Sequence, residues 1–117
     1  MSTFDHLALI HNINESLAPF RKSQSEAMQA FGQLARVAMA EGAISAKHKE
    51  LIALAIGISQ HCSGCIGFHV KALRRLGATR AELEEMLSVC VYMGGGPSLM
   101  YAAEALKAWE MMEPPAT

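Results

Sequence analysis

Residues 45–60, SAKHKELIALAIGISQ, limit the fold more than any other stretch. From Leu51 to Ile58 the run LIALAIGI is apolar throughout, so no face of it suits water. A helix that is apolar nearly all round is buried on most sides. The run is eight residues long, far short of the roughly 20 needed to span a bilayer. It therefore needs protein packed around it. Ser45 stands where an N-cap would accept a backbone N–H of the first turn, which predicts a helix over about 46–60.

The flanking sequence supplies partners of the same kind. Residues 24–41 place Met28, Phe31, Leu34, Ala35, Ala38 and Met39 at helical spacing, with Gly42 as the expected C-terminal cap. A helix beginning near Cys62 runs through CIGFHVKALRRL and ends at Gly77. Thr79 and Glu82 fit a capping box for the next, AELEEMLSVCVYM. Gly94, Gly95 and Gly96 break that helix, and Pro97 suits the first turn of a last one. The glycine run reads as a tight turn with close helix approach in preference to an anion nest. Residues 1–23 read as a short helix or arm that Pro19 breaks. No alternating strand pattern, internal repeat or low-complexity segment is present. The expectation is one all-α domain over 1–117, a compact bundle of five to six helices with its core over roughly 24–112.

Composition narrows the partners. Hydrophobic residues make up 51% of the chain and charged residues 18%, against about 25% charged in typical domains. The surplus apolar surface points to helical subunit interfaces. Ten basic and eleven acidic residues give a net charge of −1 with no basic patch, which argues against nucleic acid or an anionic membrane. The first residues lack a basic segment and a long apolar segment, so no secretory signal is expected and the cytoplasm is the expected location. The eight methionines read as gap-fillers of core and interface.

The chemistry concentrates in SQHCSGCIGFH, residues 59–69. In a reducing compartment, a close cysteine pair is catalytic or metal-binding more often than structural. Cys62 and Cys65 in a helix's first turn lie within disulfide reach, and His69 shares their face. The helix N-terminus favours a thiolate at Cys62. His69, one turn on, favours Cys65 by taking its proton, so the two signals point to different thiols. Glu50, the last charge before the apolar run, approaches His69 if the two helices form a hairpin; spacing alone makes it an ordinary surface residue. A zinc site from Cys62, Cys65, His69 and His61 is disfavoured, because structural zinc usually draws ligand pairs from separated segments. Haem attachment needs a histidine after the second cysteine, where this chain has Ile66, and a thioredoxin fold needs strands. No resident metal or cofactor is expected. Cys90 reads as a small core hydrophobe, and His6, His11 and His48 as isolated surface or satisfied polar residues.

Glu50, eleven intervening residues, then Cys62–Ser63–Gly64–Cys65 and His69 resemble the alkyl hydroperoxidase D-like, carboxymuconolactone decarboxylase superfamily. KELIALAIG, FHVKALRRLGATRAEL and YMGGGPSLMYAAEAL are similar to its small single-domain members, over roughly residues 30–110. The resemblance implies a helical homo-oligomer, a trimer or a hexamer built as a trimer of dimers. It implies a thiol-dependent peroxidase or disulfide reductase, with peroxide or disulfide as substrate and an external dithiol as electron donor. Cys65 would then react with peroxide, Cys62 would resolve, and His69 and Glu50 would relay the proton. The well-known peroxidase members carry a histidine just before the second cysteine; here that position is Gly64. Two other functions compete: an acid–base enzyme like the decarboxylase branch using Glu50 and His69, and a non-enzymatic oligomeric thiol or zinc module.

Overall fold

The computed structural model describes residues 4–113. Among them are six α-helices and no strand: α1 (His6–Ser23), α2 (Ser25–Met39), α3 (Ala46–Ser59), α4 (Ser63–Arg75), α5 (Arg80–Gly94) and α6 (Gly96–Met111). The termini of the expected single domain lie outside the described residues.

The expected boundary chemistry is present at most junctions. The Ser45 hydroxyl accepts the His48 N–H at 3.1 Å and opens α3. Thr79 and Glu82 form a reciprocal capping box at the start of α5. Lys47 of α3 pairs with the same Glu82 carboxylate at 2.8 Å. That contact, with the Thr79 N–H, holds the Glu82 carboxyl down at about 2. At the end of α4, Gly77 takes φ +77°. Its N–H reaches the Arg74 carbonyl and the Ala78 N–H reaches the Leu73 carbonyl, the paired bonding of a Schellman stop. Gly95, at φ +70° and ψ −148°, joins α5 to α6 in backbone that only glycine adopts freely. Gly94 packs directly on the buried Ser98, so the glycine run is a close-approach turn.

Two boundaries differ from expectation. Pro19 does not break the first helix: α1 continues to Ser23 and the chain turns at Gln24. Proline removes its own N–H bond to the carbonyl four residues back. Pro19 and Glu15 are both exposed, so the freed carbonyl lies on a solvent-facing stretch of the helix and the interruption is tolerated. The second difference is at Gly42. Helix α2 ends at Met39 and Ala40 takes the cap in extended backbone. The Lys49 ammonium binds the Ala40 carbonyl at 2.6 Å and Glu41 binds the Ala46 N–H at 2.6 Å. Side chains thus close the turn that a glycine cap was expected to make.

Helices α3 and α4 form the central hairpin. Gly57 meets Cys65 and Glu50 meets His69, so one chain runs up as the other runs down. Leu54, Ile58, Ile66, Val70 and Leu73 of this hairpin pack with Leu83, Leu87, Ala105 and Trp109 of α5 and α6. Burying each large side chain contributes about 1.5–3 kcal/mol. Cys90 belongs to this core as expected, and burial pushes its thiol up. The Arg74 guanidinium lies 3.8 Å from the centre of the Trp109 ring and donates to the Trp109 carbonyl, tying α4 to α6. Helix α1 crosses α4 through Ile10 and Ile13. No described helix is long and apolar enough to cross a membrane.

The apolar faces read from the sequence are present, but not all are covered. Helix α2 buries no residue, leaving Phe31, Leu34 and Val37 about two-thirds exposed. Ile52 and Ile56 of α3 are about half exposed. Val89, Tyr92 and Met93 of α5 and Met100 of α6 also face outward.

Candidate active site

The three residues after α3 reverse the chain and deliver the cysteines. His61 sits in the left-handed region, at φ +56°, where non-glycine residues are uncommon. The Cys62 N–H bonds the Gly57 carbonyl at 2.9 Å. Cys62 is itself the N-cap of α4: its sulfur accepts the Cys65 N–H at 3.2 Å. The two cysteines are joined as a disulfide with Cα atoms 5.2 Å apart. Both are partly exposed. Gly57 permits this arrangement, because a Cβ there would lie 3.1 Å from the Cys65 Cβ.

His69 follows Cys65 by one turn on α4. Its Nδ1 lies 2.7 Å from the Glu50 Oε2 on α3, with side-chain exposures of 31% and 14%. A carboxylate at Nδ1 fixes the proton there and leaves Nε2 with the lone pair. The hairpin thus sets Glu50, which the family resemblance pointed to, against the His69 that spacing had already put one turn from Cys65. His61 is drawn elsewhere: its ring stacks on Tyr101 at 4.6 Å and an interplanar angle of 2°. Among the described residues, no three His, Cys, Asp or Glu side chains are grouped to hold a metal ion. His48 bonds Ser45, and His11 pairs with Glu15 on the surface.

Gly64 has a packing reason. A Cβ there would lie 2.9 Å from the Ile13 Cδ1 of α1, and one at Gly67 would lie 2.7 Å from the Ile10 Cγ2. Two glycines therefore let α1 lie down on α4. A single methyl at 64 asks only for a shift of a flexible Ile13 terminus. An imidazole there must displace Ile13 from the α1–α4 contact. Gly64→His is expected to lower stability by about 1–3 kcal/mol, the usual cost of overpacking, and to leave redox turnover no higher. Denaturant midpoints and peroxide assays check this; retained stability with faster turnover would show that α1 does not exclude a base here.

Sequence reasoning missed His6. It is fully buried, and its Nε2 lies 3.1 Å from the Glu104 Oε1 on α6. The same oxygen accepts the Ser63 hydroxyl at 2.8 Å. His6, Ile10, Ile13 and Leu17 share one stripe of α1, and that spacing was the available signal. Nothing in the sequence indicated Glu104, 98 positions away.

An all-helical fold with its CxxC pair in the first turn of a core helix stands apart from the strand-based thioredoxin arrangement and defines a class of small helical dithiol proteins. Comparison with known proteins makes this specific. Residues 25–108 match the carboxymuconolactone decarboxylase family, and the chain belongs to that family. An uncharacterized protein of Cupriavidus necator is 36% identical over 110 residues, covering 94% of this chain and 97% of its own. Uncharacterized protein 4 in the cox locus of Paracoccus denitrificans is 39% identical over 77 residues, covering 66% of this chain and 69% of its own. The crystal structure of an apo carboxymuconolactone decarboxylase family protein from Legionella pneumophila superimposes with a TM-score of 0.91. It is 50% identical and covers 93% of this chain and 97% of that one.

Proposed function

We propose that this chain is a thiol-dependent oxidoreductase that reduces a small hydroperoxide or disulfide. The observation that supports it most is the Cys62–Cys65 disulfide at the N-terminus of α4, one turn from the Glu50–His69 pair. In the reduced state, His69 Nε2 takes the Cys65 proton while Glu50 holds Nδ1–H and stabilises the imidazolium. The Cys65 thiolate attacks one peroxide oxygen, the O–O bond breaks, and the leaving alkoxide takes a proton. The resulting sulfenic acid condenses with the Cys62 thiol, releasing water and forming the disulfide. An external dithiol then reduces that disulfide and is itself oxidised. No resident cofactor is required, and a reducing cytoplasm would sustain the cycle.

Reduced protein titrated with hydroperoxide or a small disulfide is expected to consume one equivalent. The Cys62–Cys65 bond should appear in peptide mapping. Cys62→Ser and Cys65→Ser that both leave turnover unchanged would falsify the redox reading. We also propose that the chain assembles with itself, as a trimer or as a hexamer of three dimers. The uncovered apolar faces of α2 and of α5 support this, and light scattering measures it.

A further inference from the structure

Beside the dithiol lies a polar cluster that shares no residue with Glu50 and His69. Three helices contribute to it. His6 of α1 is fully buried and its Nε2 meets the Glu104 Oε1 of α6. The same oxygen accepts the hydroxyl of Ser63, the first residue of α4 and the neighbour of Cys62. The His6 Nδ1 is buried without a partner. Buried polar atoms are rarely left unpaired, and an apolar residue at position 6 would avoid that cost. The cluster therefore calls for an explanation beyond packing.

We propose that Glu104 is a positioning residue for the dithiol, acting through Ser63 to make Cys62 the less readily ionised thiol and Cys65 the attacking one. This rests on the redox reading of the CxxC pair. A helix N-terminus favours one anion, and on that ground alone Cys62, as N-cap, would be the better thiolate. The Glu104 carboxylate already stands at that end, hydrogen-bonded to the first residue of the helix. A second negative charge on Cys62 would be repelled by it. His6 holds the carboxylate in place, and the Glu104 side chain is 24% exposed, which weakens screening. Cys65 lies further along the helix, on the face that leads to His69, and keeps its base.

The test is site-resolved alkylation of the reduced full chain with iodoacetamide across the thiol titration range. Wild type, Glu104→Gln and Ser63→Ala are compared. The groups around the pair are His6 from α1, Glu50 from α3, His69 from α4, Glu104 from α6 and His61 before α4; only the Glu104 charge or its link is altered. Glu104→Gln keeps an acceptor for Ser63 and His6 and removes the charge. It is expected to move the Cys62 profile to lower pH and speed its alkylation at neutral pH about threefold or more, with Cys65 unmoved. Ser63 is partly exposed, so Ser63→Ala folds; it removes the tether to α4 but leaves the charge held by His6, so it should move Cys62 in the same direction by less than Glu104→Gln does. Folded variants with wild-type profiles at both cysteines would overturn the proposal. The alkylation comparison needs no turnover, so it decides the role of Glu104 even where the peroxide and disulfide titrations fail.

Discussion

His69→Ala is expected to lower turnover of hydroperoxide or disulfide by about 10²–10⁴-fold, the usual contribution of a positioned general base. The reason is local. On α4, His69 is the histidine one turn from Cys65, and its tautomer is fixed by Glu50 at 2.7 Å. Gly64, where a second base would stand, is filled against by Ile13. His61 is held on Tyr101. Removing His69 therefore leaves no other histidine on α4 to take the thiol proton. Glu50→Gln is a milder change, because its amide oxygen still accepts from Nδ1–H but carries no charge for the imidazolium. A loss of about tenfold is expected, consistent with losing a charge-assisted bond worth roughly 1.4 kcal/mol more than a neutral one. Rates of Cys65 reaction against pH are the measurement, with thermal unfolding to confirm that each variant is folded. The His69→Ala profile should lose its dependence on the imidazole. Wild-type rates in both variants would remove the relay from the mechanism and leave the cysteines acting alone.

What the sequence disclosed depends on the distance over which each signal acts. Ser45, Thr79 with Glu82, Gly77 and Gly95 act on backbone within a few residues, and the helix junctions they predict are where the chain turns. Pro19 misled because its effect depends on whether the orphaned carbonyl meets water, which the sequence does not state. Gly42 misled because Lys49 and Glu41 close the loop through side chains. The cysteine pair and His69 were legible because they share one helix. Glu50 lies 19 positions before His69, and spacing alone assigned it to the surface; the family pattern placed it beside His69. His6, Ser63 and Glu104 meet from three helices, and no periodicity links them. The apolar stripe of α2 was legible as a helix face. Composition placed surplus apolar surface at a subunit interface, but not that Phe31, Leu34 and Val37 would be left uncovered; Val37 lay outside the face read from the sequence, and periodicity marks which side is apolar and not what lies against it.

That uncovered stripe leads to the second large effect. Phe31→Glu combined with Val37→Asp is expected to reduce the proposed trimer or hexamer to a smaller species. Helix α2 has 15 residues and none of them buried. Isolated helices of that length are marginal in water, because packing of an apolar face supplies most of their stability. Phe31, Leu34 and Val37 are 67%, 63% and 65% exposed in the single chain. Covering the two-thirds of these three side chains still exposed would contribute about 3–6 kcal/mol per subunit, before association costs are counted. Even the lower figure corresponds to about 10² in a dissociation constant. Placing two carboxylates on the stripe removes that gain and adds the cost of burying charge. Light scattering on wild type and variant at equal concentration reads the mass directly. Hydrogen exchange reads the helix: α2 amides should be protected in the assembly and exchange quickly in the variant. A wild-type monomer with protected α2 amides would mean that the helix is stable uncovered, and self-assembly through it would be wrong. The dithiol offers a separate readout, because Cys62, Cys65, His69 and Glu50 all lie on the α3–α4 hairpin. The variant should therefore still form its Cys62–Cys65 disulfide, which separates loss of assembly from loss of the fold.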